Sequence, residues 1–122
     1  MDIADKIAFV TGGSGGLGSV ITRHLAAHGA NVAISYGQNA DAAEAVKREI
    51  TAMGRACCVV PMDQTAPASI DQAVDQVVSS LGGIDILVNN AAWNAAVPFA
   101  DLDALTPELW VRVHHTNLRG PF

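Results

Sequence analysis

The sequence of 122 residues has few features of membrane or nucleic-acid-binding proteins. No window approaches the ~18 consecutive apolar residues that a membrane-spanning helix needs. Seven Lys and Arg residues against twelve Asp and Glu residues give a net charge of −5, with no run of one sign. We therefore expect neither a membrane nor a nucleic acid as a partner. Residues 1–10 are too acidic, and their apolar part is too short, for a secretory signal, so we expect a cytoplasmic protein.

Cysteine is also scarce, because Cys57 and Cys58 are the only two. Adjacent residues on a strand point to opposite faces, so this pair is not expected to form an unstrained disulfide. No His or Cys lies at zinc-ligand spacing from them, and adjacent His114 and His115 on a helix would not face one site. We expect two core thiols, two surface imidazoles and no metal site.

Aromatic residues make up only 5% of the chain, whereas apolar residues make up 50% and are mostly alanine and valine. This composition favours an α/β protein with buried parallel strands over a β-sandwich. Four apolar runs predict strands, and each is followed by apolar residues at helical spacing. The predicted strands are 6–10, 31–35, 55–60 and 84–88, and the predicted helices are 17–28, 40–53, 67–81 and one beginning at 107. Pro61 is expected to limit the pairing of the third strand. The strict alternation of strands and helices along the chain predicts a parallel sheet with helices on both faces.

A glycine-rich segment, Thr11 to Gly18, joins the first strand to the first helix. Backbone amides at a helix N-terminus can bind a dinucleotide pyrophosphate, provided that no Cβ holds it away. Gly12 suits the tight turn, Gly16 the approach of the phosphates, and Gly18 the close packing of helix on strand. The position after a first strand and before an amphipathic helix favours this interpretation over a merely flexible turn.

Two other phosphate-binding loops fit the sequence less well. A P-loop would need a lysine where Ser19 stands, so nucleoside triphosphate hydrolysis is disfavoured. A methyltransferase would place an acid at the end of the second strand, but that strand ends in Ser35 and Tyr36.

The segment Thr11-Gly-Gly-Ser-Gly-Gly-Leu-Gly18 resembles the Thr-Gly-x-x-x-Gly-x-Gly loop of the short-chain dehydrogenase/reductase family. Asn89-Asn90-Ala91-Ala92 is similar to that family's Asn-Asn-Ala-Gly, with an alanine in place of the last glycine. The resemblance covers the whole chain but only the N-terminal half of a family member. It implies that residues 1–122 are the N-terminal part of one NAD(P)-binding, Rossmann-type, doubly wound domain, with strand order 3-2-1-4. The cofactor-binding positions that it implies are Thr11, Gly12, Ser14, Gly15, Gly16, Leu17, Gly18, Tyr36, Asp63, Asn89, Asn90 and Ala91.

Two single residues acquire roles only through this resemblance. Asp63 corresponds to the acid that hydrogen-bonds the adenine ring, although on its own it could be an acid at a helix entrance. Asn117, in Asn-Leu-Arg-Gly-Pro-Phe, resembles the catalytic asparagine that shapes its helix and holds a proton-relay water. Asn89 and Asn90 could alternatively form an ordinary turn after a strand.

The sequence lacks the rest of the family's catalytic set, a Ser and a Tyr-x-x-x-Lys. Its only tyrosine is Tyr36, and the residue four positions later is Ala40. Without a proton donor or acceptor, hydride transfer has no partner step, so we expect the chain alone to be inactive. We expect it to be the cofactor half of an oxidoreductase that acts on a small carbonyl or alcohol substrate and is a homo-oligomer when complete. The alternative is a natural, non-catalytic dinucleotide-binding or regulatory module.

The cofactor is expected to be NADP(H) rather than NAD(H). An NAD site usually has Asp or Glu about 20 residues beyond the glycine loop, where it binds the ribose 2′-hydroxyl. Tyr36 stands there instead, so no acid repels a 2′-phosphate. Neither Gln38 nor Asn39 carries a charge that would attract it.

The last expectation concerns residues 1–122 as an isolated polypeptide. In the family the fourth strand is interior, so here Ile84, Ile86, Leu87 and Val88 would form an unpaired, apolar edge. The fourth helix would also lose covering neighbours and expose Leu109, Trp110 and Val113. We therefore expect the isolated chain to self-associate.

Overall fold

The computed structural model describes residues 2–122 and shows an α/β fold built on four parallel strands. These strands are β1 (Ile7–Val10), β2 (Asn31–Tyr36), β3 (Cys57–Pro61) and β4 (Ile86–Val88). They lie in the order β3-β2-β1-β4, and every neighbouring pair is parallel. The predicted Rossmann-type sheet with strand order 3-2-1-4 is confirmed.

Four α-helices alternate with the strands, also as predicted. They are α1 (Gly16–Ala27), α2 (Ala40–Ala52), α3 (Pro67–Leu81) and α4 (Pro107–His114). The Asn39 and Thr106 side chains cap α2 and α4 by accepting hydrogen bonds from the backbone, and Pro67 begins α3. Within residues 2–122, no helix combines the length and the apolar character needed to cross a bilayer.

The sheet separates two apolar clusters because successive strand residues point to opposite faces. On one face, Val32 and Ile34 are buried together with Val46 and Ile50 of α2, and α1 packs against the same cluster. On the other face, Phe9 and its neighbours pack against α3. That second cluster comprises Phe9, Ala33, Val60, Met62, Ala73 and Val77. Helices therefore cover both faces of the sheet, as the alternation predicts.

All four strands differ from their predicted bounds by one or two residues, and the differences in β3 and β4 have local reasons. Pro61 lies in register with Tyr36 and is the last residue of β3, so the strand extends one residue beyond its predicted end and the register stops at the proline, as predicted. A proline is tolerated there because β3 is an edge strand, and Met62 N resumes the ladder by donating to Tyr36 O at 2.9 Å. Regular pairing of β4 begins at Ile86 rather than at residue 84. Just before it, the Asp85 carboxylate accepts a hydrogen bond of 2.8 Å from Ile7 N.

The two cysteines are free and half-buried, and Cys57 and Cys58 pack against opposite clusters, as expected from adjacent strand residues. They are less enclosed than the predicted core thiols because β3 is an edge strand. Burial raises the pKa of Cys57 to about 12, and it also raises the pKa of Cys58. Among residues 2–122, no group of three or more His, Cys, Asp or Glu side chains could hold a metal ion.

The C-terminal segment departs from a regular helix. After α4, residues His115–Arg119 form one π-helical turn, here called the π turn. Gly120 N donates to His115 O, five residues back, at 3.0 Å. Trp110 on α4 is 68% exposed, whereas Leu109 and Val113 are half-buried rather than exposed.

Candidate cofactor-binding site

The glycine-rich loop lies at the carboxyl ends of the strands, where ligands bind in open parallel sheets. Gly12 has a φ of +64°, a conformation that L side chains rarely adopt. Gly18 faces the loop so closely that a Cβ there would collide with the carbonyl oxygen of Gly12. The geometry agrees with a tight turn at Gly12, and it places the close contact of Gly18 against the loop rather than against a strand.

The loop is fastened to β2 and α1 by hydrogen bonds. Gly12 N donates to Ser35 Oγ, and Gly13 N donates to Ser35 O, both at 3.1 Å. On the other side, the buried Thr22 hydroxyl donates to Gly13 O at 3.3 Å. A Cβ at Gly13 would overlap Ile34, so this glycine is also required by packing.

A second set of bonds joins the loop to the segment after β4. Thr11 Oγ1 accepts from the backbone amides of Asn90 and Ala91, each at 3.0 Å. The Asn90 side-chain amide donates to Thr11 O at 2.9 Å and to Gly12 O at 3.2 Å. Thr11 is buried and lies outside the lining of both cavities described below, so it would affect a cofactor through its neighbours.

Two adjoining cavities open above this framework. The smaller, of about 510 Å³, is lined mainly by the glycine loop. Its predicted site residues are Gly12, Ser14, Gly15, Gly16, Leu17, Gly18, Tyr36 and Asn90. The larger, of about 910 Å³, lies between the ends of β2 and β3 and helix α4. Its predicted site residues are Gly12, Tyr36, Asp63 and Ala91. Asn89 is exposed and lines neither cavity.

The first turn of α1 is suited to an anion. Gly15 is the N-cap and contributes no side-chain hydrogen bond, and the first turn contains no acidic residue. A Cβ at Gly16 would meet none of the described atoms within 4 Å outside its own helix, so protein packing does not require this glycine. The helix dipole and the amides of this turn favour negative charge at the smaller cavity.

The rim after β2 is neutral. Tyr36, Gly37 and Gln38 line both cavities, and Asn39 lines the smaller one. Asn39 Oδ1 is already used as the N-cap of α2, where it accepts from Ala42 N at 3.0 Å. Of the residues that the structure places along this rim, none carries a carboxylate.

Asp63 lines the larger cavity just beyond β3. Its Oδ1 accepts from the Thr65 amide at 2.8 Å and from the Thr65 hydroxyl at 2.7 Å. These two bonds hold the pKa of Asp63 below its usual range, so the carboxylate is charged at neutral pH. Its position next to the cavity agrees with the predicted adenine contact, while its bonds to Thr65 form a local turn before α3.

Asn117 lies in the π turn and is exposed, outside the lining of both cavities. Its side chain pairs with the backbone of Trp93: Nδ2 donates to Trp93 O and Oδ1 accepts from Trp93 N, each at 2.8 Å. The Arg112 guanidinium lies 3.8 Å from the centre of the Trp93 ring. The π turn is thus attached to the segment that follows Asn90.

Sequence reasoning missed several residues of this site, and three of them are central to its structure. Ser35 anchors the glycine loop, and the buried Gln64 and Arg112 both line the larger cavity. A serine at a strand end and a glutamine after a strand belong to no pattern that predicts these contacts. Arg112 could be placed only after α4 was known to lie beside the cavity.

The comparisons with known proteins agree with this geometry. The model of the short chain dehydrogenase family matches residues 6–122. The chain is 41% identical over 122 residues to the short-chain dehydrogenase/reductase FrzI of Cladobotryum, covering 98% of this chain and 45% of that protein.

Two solved structures are also similar. A blue fluorescent protein from a metagenomic library, in complex with NADPH, is 40% identical with a TM-score of 0.89, over 100% of this chain and 49% of that one. A short chain dehydrogenase from Burkholderia cenocepacia J2315, in complex with NADP, is 41% identical with a TM-score of 0.89. The match covers 98% of this chain and 48% of that one. The chain therefore spans about half the length of each of these three proteins. Since the family model matches almost all of its residues, the chain belongs to the short-chain dehydrogenase/reductase family of oxidoreductases.

Proposed function

We propose that this protein is an NADP(H)-dependent oxidoreductase that transfers a hydride between the nicotinamide and a small carbonyl or alcohol substrate. The single observation that carries the choice of cofactor is the neutral rim after β2, where Tyr36 stands in place of a carboxylate. An acid at this position would bind the ribose 2′-hydroxyl of NAD and repel the 2′-phosphate of NADP. The similar structures that contain NADPH or NADP support the same choice.

The residues present fit a dinucleotide. The uncapped first turn of α1 presents amides to the smaller cavity, and Gly16 leaves room for a phosphate to approach them. Asp63 would accept a hydrogen bond from the adenine amino group, and Tyr36 would lie beside the adenosine ribose. Ala91 and Ala92 would line the path toward the nicotinamide, whose ring supplies or accepts the hydride when the cofactor is bound.

The remaining chemistry of the proposal needs groups that these 122 residues do not include. Asn117 is the one member of the family's catalytic set that the sequence contains, and in this proposal it shapes the π turn and holds a water for proton transfer. The Ser and Tyr-x-x-x-Lys motifs would come from the remainder of a complete family member. Residues 1–122 alone are expected to bind the cofactor without turnover.

Titration of the chain with NADPH and NADH tests the cofactor assignment. The wild type should bind NADPH at least about tenfold more tightly than NADH. The variant Tyr36→Asp should lose about 10- to 100-fold in NADPH affinity, because a carboxylate would then face the 2′-phosphate. Its NADH affinity should be retained or raised.

The neutral substitution Tyr36→Asn is the matched control, since it removes the same ring without adding charge. It should leave NADPH the preferred cofactor. Tighter binding of NADH than of NADPH by the wild type would refute the assignment, and binding of neither would refute the proposed function.

A further inference from the structure

Gln64 is the buried polar side chain that links the two parts of the site. It lies immediately after Asp63 and is 9% exposed. Its Nε2 donates to Ala91 O at 3.0 Å and to Thr116 O at 2.6 Å. These two carbonyls belong to the segment after β4 and to the π turn, which are distant in sequence.

The carbonyl of Thr116 lacks the two backbone donors that α-helical or π-helical geometry would give it. In an α-helix it would accept from the amide of residue 120, but Gly120 N donates to His115 O instead. In a continuing π-helix it would accept from residue 121, but Pro121 has no N–H. Gln64 therefore supplies the bond that the π turn and the proline remove.

The fit around this side chain is close. A Cβ at Gly120 would collide with Gln64 Cγ, so the glycine makes room for the glutamine stem. Thr116 directly precedes Asn117, whose side chain holds both the N–H and the C=O of Trp93. A shift of the Thr116 peptide would consequently move the Asn117 side chain away from Trp93.

We infer that Gln64 is a positioning residue, which fixes Asn117 relative to the cofactor cavity by bonding Ala91 and Thr116 at once. The effect of Gln64 on proton transfer rests on the proposed function, since Asn117 takes part in proton transfer only if the protein is an oxidoreductase. The bond itself can be tested without any cofactor.

The test uses the full chain in a Trp110→Phe background, so that Trp93 is the only tryptophan. Gln64→Met keeps the length of the side chain and removes both N–H donors. Acrylamide quenching of Trp93 fluorescence should increase about twofold in this variant, as it should in Asn117→Ala. The same substitution at an exposed glutamine of α3, Gln72→Met, is the matched control and should leave the quenching unchanged.

The double variant Gln64→Met with Pro121→Ala restores a backbone N–H that can donate to Thr116 O. It should bring the quenching back toward the wild-type value, which a purely space-filling role of Gln64 would not predict. Unchanged quenching in Gln64→Met, an equal increase in Gln72→Met, or no recovery in the double variant would overturn the inference.

If Gln64→Met does not fold, the recovery of a cooperative thermal melt in the double variant supports the inference, and its absence overturns it. None of these measurements uses NADPH. A failure of cofactor binding would therefore count against the proposed function and would be distinguishable from a failure of this inference.

Discussion

Gly16 and Gly18 stand two residues apart in the first turn of α1, yet they are glycine for different reasons. A side chain at Gly18 would overlap the Gly12 carbonyl and the Asn90 side chain, so its absence is required by the fold. A side chain at Gly16 would enter the smaller cavity, so its absence matters only when a phosphate approaches.

Substitution of Gly18 should therefore lower the stability of the fold, whereas substitution of Gly16 should weaken cofactor binding. Gly18→Ala is expected to lower the free energy of unfolding by about 1–3 kcal/mol, as overpacking does. Gly16→Ala should leave that free energy unchanged or raise it by up to ~1 kcal/mol, because alanine favours the helix. It should nevertheless weaken NADPH binding at least tenfold. Urea unfolding and NADPH titration of both variants are the measurements, and undiminished affinity in Gly16→Ala would contradict the predicted phosphate approach.

The site was predictable where residue type alone dictates backbone geometry. The glycine loop could be assigned from sequence because few other residues permit the turn at Gly12 or the close packing at Gly18. The bonds of Ser35 and Gln64 could not, because a hydroxyl or an amide can serve many partners, and the partners here are distant in sequence. The cofactor contacts of all the predicted site residues, Asn89 and Asp63 included, stay predictions.

At the level of elements, the four strands and four helices were predictable from the sequence. The spacing of apolar residues indicated each element, and glycine or proline residues marked where many of them begin or end. The bounds of β3 and β4 were not, since they depend on which neighbour each strand meets. Pro61 can end β3 only because that strand is at an edge. The π turn was also missed, because the pattern of α4 gives no sign that the helix widens at His115.

Just before β4, Asp85 joins the chain to β1 through hydrogen bonds to the backbone of Ile7. Its carboxylate accepts from Ile7 N, and its backbone amide donates to Ile7 O, each at 2.8 Å. Asp85→Ala should remove the first bond and lower the free energy of unfolding by about 1 kcal/mol. Asp75→Ala on the exposed face of α3 is the control and should change it by less than about 0.5 kcal/mol. Chemical denaturation measures both, and equal effects would mean that the Asp85 bond is not stabilising.

At the scale of the whole molecule, most of the exposed large apolar side chains among the described residues lie in β4 or after it in the chain. Leu87 of β4 is 55% exposed, while residues 84, 86 and 88 are half-buried. Further exposed apolar side chains follow it in the chain: Phe99, Leu102, Leu105, Trp110, Val111 and Leu118. An apolar edge strand of this kind can pair with another chain.

The 122-residue polypeptide should therefore self-associate. Burying one large apolar side chain contributes roughly 1.5–3 kcal/mol, so several together rival the ~5–15 kcal/mol stability of a domain. Sedimentation velocity at two concentrations should show oligomers for the wild type. Leu87→Lys should shift the distribution toward monomer, because a charged residue on an edge strand opposes pairing.

Val78→Lys is the control for added charge. Val78 is exposed on α3 rather than on a strand, and this variant should associate as the wild type does. A monodisperse wild-type monomer, with a cooperative melt that NADPH raises, would contradict this prediction and favour an independent binding module.

The hydrogen bonds between Thr11 and Asn90 also constrain the order in which the molecule can assemble. They join residues separated by 79 positions, so the glycine loop is closed by one of the longest-range contacts in the chain. On a ribosome, the first βαβ unit would emerge before residues 86–91, so the proposed phosphate-binding turn would at first lack these bonds. Under the proposed function, the ability to bind a dinucleotide would therefore arise late in folding, when the fourth strand docks beside the first.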